Sequence, residues 1–277
     1  MTIVAQTSRR DFLKTSAFAS GGLLLGVSLV LPGQDAQAAG TIYTPNAWVH
    51  ISDDNTITLL SARSEMGQGV YTAMPMLIAE ELNVDIRRIK VAIAPPDVKL
   101  YGNALLGGPQ LTGGSTSVRD GYDKLRIAGA QVREMLVAAA ASQWKLDPSQ
   151  LKAANGMVTG PGGKKATYGQ LAEAASKLPV PKDVKLKDPG EFTIVGKPTR
   201  RLDTPAKVNG TAEFGIDVKL PGMVYASLEH CPVIGGTVKS YDASKAKGMP
   251  GVFDIGQIPD GVAVVADSYW RAKTARE

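Results

Sequence analysis

Two β-rich runs, residues 48–52 and 56–60, are joined by Asp53-Asp54-Asn55, and together they predict a hairpin. After Glu65-Met66-Gly67-Gln68-Gly69, the apolar residues Met74, Leu77, Ile78 and Leu82 recur at helical spacing on one face. Pro75 places the start of that helix near Tyr71 or Thr72, because a proline deep in a helix loses a hydrogen bond and clashes with the preceding turn. Residues 89–93 read as a strand ended by Pro95-Pro96, and a polar, glycine-rich segment then runs from residue 97 to 117. Its last letters are Thr112-Gly113-Gly114-Ser115-Thr116-Ser117. Behind them Val118, Tyr122, Leu125, Gly129, Val132, Leu136 and Ala139 fall at alternating four- and three-residue steps, one apolar stripe of about six turns. Gly121 and Gly129 weaken this helix locally and permit close packing.

From residue 148 to 178 the elements shorten. A hairpin is expected around Asn155-Gly156 and Gly160-Pro161-Gly162-Gly163, then a helix over 168–178. Residues 179–192, rich in proline, lysine and aspartate, read as an exposed connection and the domain boundary. Beyond it, strands are expected within 220–228, 251–255 and 262–266, a short helix from Tyr241, and a further helix over 268–275. Strands alternating with helices give an α/β (α+β) fold class.

The leader changes the picture of where this fold works. Ser8-Arg9-Arg10-Asp11-Phe12-Leu13-Lys14 precedes an apolar stretch over 17–31, and Ala36-Gln37-Ala38 supplies small residues at signal-peptidase spacing. Residues 1–38 are therefore expected to be a twin-arginine signal peptide and the protein periplasmic, exported folded. An uncleaved anchor is the alternative, although the apolar run is shorter than the roughly 20 residues that span a bilayer. Twin-arginine export suits a protein that takes up a cofactor before leaving the cytoplasm.

The length of 277 residues suits two modest domains, and the formal charge of +5 is dispersed among acids, which argues against nucleic-acid binding. With one cysteine, Cys231, the chain has no internal disulfide and cannot by itself hold an iron–sulfur cluster. His50 and His230 lie far apart, without metal-ligand spacing, so no metal site is expected. Cys231 reads as a small buried thiol, His230 as an ordinary histidine, Glu80-Glu81 as a solvated helix face, and Met74, Met76 and Met135 as core.

The chemistry lies in the two glycine–polar turns. Each leads into a helix, whose first amides and positive dipole end suit an anion. Gly67 and Gly69 let backbone approach a bulky group, and the Gln68 amide is a donor; Gly113, Gly114, Ser115 and Ser117 form a second cradle of amides and hydroxyls. A capped tight turn has the same letters, so the weight comes from the pair.

In this order the two turns resemble the cofactor-binding region of large subunits of the xanthine dehydrogenase and aldehyde oxidoreductase family. Residues from about 197 onward, with Lys207-Val208-Asn209-Gly210-Thr211-Ala212-Glu213-Phe214-Gly215-Ile216-Asp217, Leu220-Pro221-Gly222-Met223 and Met249-Pro250-Gly251-Val252, look like that family's a/b hammerhead domain. The hammerhead follows the glycine loops here, a permuted order similar to the isoquinoline 1-oxidoreductase beta-subunit type. The resemblance implies a molybdenum-cofactor-binding segment over 40–192 and a hammerhead over 193–277, incomplete at its C-terminus. It also implies a molybdenum–molybdopterin cytosine dinucleotide cofactor held by Gly67, Gln68, Gly69, Gly113, Gly114, Ser115 and Ser117. The family's catalytic glutamate is expected beyond the C-terminus, so no catalytic residue is assigned and the chain alone is expected to be inactive. The implied reaction is hydroxylation of N-heterocycles or aldehydes with water as oxygen source. Electrons would pass to a small [2Fe–2S] partner subunit and on to a periplasmic acceptor such as a c-type cytochrome. The alternative is a non-catalytic exported module that binds a ligand or partner through the same loops.

Overall fold

The computed structural model describes residues 41–277, and the expected twin-arginine signal peptide over residues 1–38 lies outside the described residues. Contacts divide the chain into two compact units, the first ending at Leu202 and the second beginning at Asp203.

In the first unit, β1 (Ile42–Asn46), β2 (Val49–Ser52), β3 (Ile57–Ser61) and β4 (Lys90–Ile93) form a sheet in that order. The expected hairpin is β2–β3: Val49 pairs with Leu59 and Ile51 with Ile57, all buried. Strand β4 runs parallel to β3, as the crossover through helix α1 (Val70–Leu82) requires. Strand β1 has no clear sequence signal because Pro45 interrupts it; proline is tolerated there because β1 is an edge strand.

Helix α1 begins at Val70, slightly earlier than expected, so Pro75 lies inside it. The start is set by Gly69, left-handed at φ 94°, whose carbonyl accepts from the amides of Thr72 and Ala73. After α2 (Val98–Tyr101), the long helix α3 (Ser117–Trp144) buries Leu125, Val132, Leu136 and Ala139, although Val118 at the head of the stripe stays exposed. At Gly129 the helices nearly touch: a Cβ there would lie 2.4 Å from the Ile78 carbonyl oxygen of α1. Met74 and Met135 are core residues.

Strands β5 (Lys152–Ala154), β6 (Met157–Thr159) and β7 (Lys165–Thr167) make a second, antiparallel sheet, turned at Asn155 and Gly156, both at positive φ. Helix α4 (Tyr168–Ser176) starts from a Thr167–Gln170 capping box, and the buried Tyr168 hydroxyl donates to the Leu82 carbonyl at 2.8 Å.

The expectation of a solvated Glu80-Glu81 is overturned: both side chains are fully buried. Glu80 accepts from Lys187 Nζ at 2.7 Å and from the successive amides of Thr193, Ile194 and Val195 at 3.0, 2.6 and 3.0 Å. Glu81 takes Arg126, Arg133 and the Lys187 amide. The arginines continue outward, Arg126 to the Lys187 carbonyl and Arg133 to that of Lys185. Residues 185–195 are thereby strapped to α1 and α3, which keeps the segment after residue 192 with the first unit. Burial pushes Glu80 toward a higher pKa, but Lys187 and the three amides outweigh it and bring the value down to about 2.

The second unit contains α5 (Thr204–Asn209), β8 (Tyr225–His230), β9 (Val252–Ile258), β10 (Gly261–Ala266) and α6 (Tyr269–Arg276). Its sheet is antiparallel in the order β8-β10-β9, with Ser268 capping α6. Where a helix was expected from Tyr241, only a single turn forms over Ala246–Gly248. Cys231 is half-buried, and the exposed His230 faces Asp260 at 3.1 Å. Both units mix strands and helices, as expected for an α/β (α+β) chain. Among the described residues no helix is long and apolar enough to cross a membrane.

Candidate functional site

The turn over 64–69 connects β3 to α1 and is organised by Glu65, a residue without an expected role. Glu65 Oε1 accepts from the amides of Gly67 at 2.8 Å and Gly69 at 2.9 Å, and Oε2 from that of Tyr71 at 3.0 Å. Gly67 and Gly69 can offer these amides because both are left-handed, φ 111° and 94°. The chain's own carboxylate therefore takes three amides at and just before the amino end of α1. Arg201 closes the outer side, donating to the Gly67 carbonyl at 2.7 Å and to Glu65 Oε1 at 3.2 Å. Gln68 is exposed; its Oε1 accepts from the Met66 amide at 2.6 Å and its Nε2 donates to the Ser64 carbonyl at 2.8 Å. One N–H of that amide remains for another acceptor.

The second turn differs. Gly114 and Ser115 are consecutive left-handed residues, φ 58° and 54°, and they reverse the chain into α3. Thr116 Oγ1 donates to the Gly113 carbonyl at 2.8 Å and accepts from Asn103 Nδ2 at 2.7 Å. Thr116 makes no side-chain cap on the helix, and the first bond across the boundary runs from the Asp120 amide to the Thr116 carbonyl. The amides of Ser117, Val118 and Arg119 precede that bond at the positive end of a 28-residue helix.

The two turns meet. The amide of Ser64 donates to Thr112 Oγ1 at 2.9 Å, so a chain of hydrogen bonds runs from Gln68 through Ser64 to Thr112. Behind them Arg63 and Asp120 form a buried pair at 2.8 Å. Arg63 also donates to the carbonyls of Ala62, Tyr101 and Gly102, while Asp120 accepts from Lys124 and the Ala104 amide. Burial alone would raise the Asp120 pKa; Lys124, the Ala104 amide and Arg63 lower it, so it stays ionised against Arg63. Asn103 Oδ1 and Gln110 Oε1, on the segment leading to the second turn, are buried without a hydrogen-bond partner among the described residues.

Of the residues singled out in sequence, Gln68 offers a side-chain donor and Gly67 and Gly69 give their amides to Glu65, while Gly113, Gly114, Ser115 and Ser117 surround the uncapped start of α3. Glu65 carried a legible signal, a carboxylate two and four residues before glycines at a helix start. Arg63, Asn103, Asp120 and Arg201 carried none, because the contacts that place them here, Arg63 with Asp120, Asn103 with Thr116 and Arg201 with Glu65 and Gly67, join separate segments of the chain. A donor-rich turn with glycine backbone, set over an uncapped helix start, fits a group with several anionic oxygens.

The molybdopterin cofactor-binding domain family matches residues 9–219, which contain both turns and Arg201. The chain is 32% identical to the beta subunit of isoquinoline 1-oxidoreductase of Brevundimonas diminuta, covering 97% of this chain and 39% of that protein. It is also 32% identical to the membrane-bound aldehyde dehydrogenase [pyrroloquinoline-quinone] of Gluconacetobacter polyoxogenes, covering 99% and 37%. A nicotinate dehydrogenase subunit of Pseudomonas putida is 26% identical, with 95% and 22% covered. The chain thus spans at most about two fifths of the length of these relatives.

Proposed function

This chain belongs to the molybdopterin cofactor-binding domain family, and from that premise we propose that it is the cofactor-holding part of the large subunit of a molybdenum hydroxylase. The observation that carries the proposal is the Ser64–Thr112 hydrogen bond, which joins two glycine–polar turns at two helix starts into one surface. The α3 start, with Gly113, Gly114, Ser115 and Ser117, would seat the anionic part of the molybdopterin. Gln68 would donate its remaining N–H to the same group. When bound, the cofactor supplies two-electron oxidation of a substrate carbon, with water as the oxygen source.

The finer assignments follow from chemistry. Substrates would be N-heterocycles or aldehydes, the compound classes in the names of the relatives. The cofactor would be the cytosine dinucleotide form. With Cys231 as its one thiol, the chain must pass electrons to clusters held elsewhere, which suits a partner subunit carrying [2Fe–2S] centres and a periplasmic acceptor beyond it. The twin-arginine pattern at Arg9-Arg10 supports export of the folded, loaded protein. Residues 203–277 would serve as the hammerhead unit. The decisive experiment is metal and pterin analysis of the intact complex beside a Gln68→Ala/Ser115→Ala double variant. Molybdenum and pterin in the wild type and their loss from the variant are expected. A quinone in place of the pterin, or full retention by the variant, would overturn the assignment.

A further inference from the structure

The geometry points to Glu65 as a positioning residue of the site: it is the resident anion of helix α1, and the turn bearing Gln68 is folded around its carboxylate. The inference rests on the reading that these turns hold the cofactor, and it goes further by dividing the labour between them.

One carboxylate accepts three amides, from Gly67, Gly69 and Tyr71, while its side chain is only 8% exposed. Those are the donors that an anionic ligand would take at the amino end of α1. Arg201 holds the same carboxylate from outside and pins the Gly67 carbonyl. The turn contains two left-handed glycines and would otherwise leave their amides to water. With Glu65 in place, three of the amides at this turn are already taken, and the carboxylate offsets the Arg201 charge that would otherwise draw a phosphate or other anionic oxygen here. The anionic part of the cofactor is thus directed to the uncapped start of α3, and the first turn contributes a neutral donor, the Gln68 amide. That amide is oriented by Ser64 and Met66, both within the turn that Glu65 shapes. Glu65 acts through Gln68 and through exclusion, without touching the cofactor.

The sign of one substitution separates this role from that of a bystander charge. Neutralising a carboxylate beside an anionic group should strengthen retention of that group if charge is all that matters. Removing a positioning residue should weaken it. In the intact complex, Glu65→Gln is expected to lower molybdenum and pterin content about threefold or more, and to speed amide hydrogen exchange at Gly67, Gly69 and Tyr71 about tenfold. Exchange over residues 117–121 should not change, and Glu65→Asp should fall between Glu65→Gln and wild type. Equal or greater retention in Glu65→Gln overturns the proposal. Wild-type complex stripped of cofactor provides an arm that needs no variant: slow exchange at the three amides is expected, and exchange at the rate of an unstructured chain overturns it. A wild-type complex lacking both molybdenum and pterin would remove the cofactor assignment instead, and the exchange arm would still decide whether Glu65 holds the turn.

Discussion

The amide of Ser64 and the hydroxyl of Thr112, 48 residues apart in sequence, are 2.9 Å apart in the fold. Through this pair the end of β3 holds the start of the segment that turns into α3. Thr112→Val keeps the shape and removes the acceptor. The bond is solvent-exposed, so the expected loss of stability is small, about 1 kcal/mol. Cofactor retention should suffer more than the melting temperature. Metal analysis and thermal melts of the same preparations check this, and unchanged metal content would show that the turns are held together by other contacts.

Breaking the Arg63–Asp120 pair should be costly. The two side chains are 1% and 4% exposed, so Asp120→Asn leaves a buried guanidinium without its counter-charge. Such a loss costs about 3–5 kcal/mol. Denaturant unfolding measures it, and a cost below about 1 kcal/mol would mean that the carbonyls of Ala62, Tyr101 and Gly102 suffice for Arg63.

The Glu80 latch makes the first unit acid-sensitive. Its pKa is held down to about 2, against 4.5 for an unperturbed glutamate, so the folded state prefers the ionised form. The stabilisation is complete above pH about 4.5 and is lost as the pH falls toward 2. Its size is about 3 kcal/mol. Glu80→Gln should destabilise the protein at pH 7 and flatten the dependence between these limits. Urea midpoints at several pH values read this directly, and parallel curves for wild type and variant would show that the acid sensitivity originates elsewhere.

Two glycines should respond to alanine for opposite reasons. Gly129→Ala would push a methyl to 2.4 Å from the Ile78 carbonyl, and overpacking of this kind costs about 1–3 kcal/mol. At Gly67 a Cβ meets nothing within 4 Å among the described residues, but φ is 111°, so Gly67→Ala strains the backbone by about 1 kcal/mol and pulls its amide away from Glu65. The first variant should lose stability with little loss of bound cofactor per folded molecule, and the second the reverse. Melting temperature against metal content separates them.

The elements that were legible in sequence are those whose pattern is local. The β2–β3 hairpin, the apolar stripe of α3 and the Asn155-Gly156 turn each declare themselves within a few residues. Strand β1 did not, since Pro45 contradicts its pairing role. Glu80 and Glu81 misled for a different reason: a charged pair on a helix looks solvated unless the segment that covers it, 106 or more residues downstream, is known. The same limit applies at the site. The glycine turns could be found from their letters, but the ownership of the Gly67 and Gly69 amides by Glu65, and the grip of Arg201 across more than 130 residues, depend on tertiary placement.

The near-touch of Gly129 on the Ile78 carbonyl reaches beyond packing. Where side chains separate two helices, their spacing can be retuned by swapping one residue for a larger or smaller one. Here main chain rests on main chain, and no such adjustment exists. The first residues of α1 and α3 are therefore held at a fixed spacing, and variation at this end of the pair must come from the turns mounted on them.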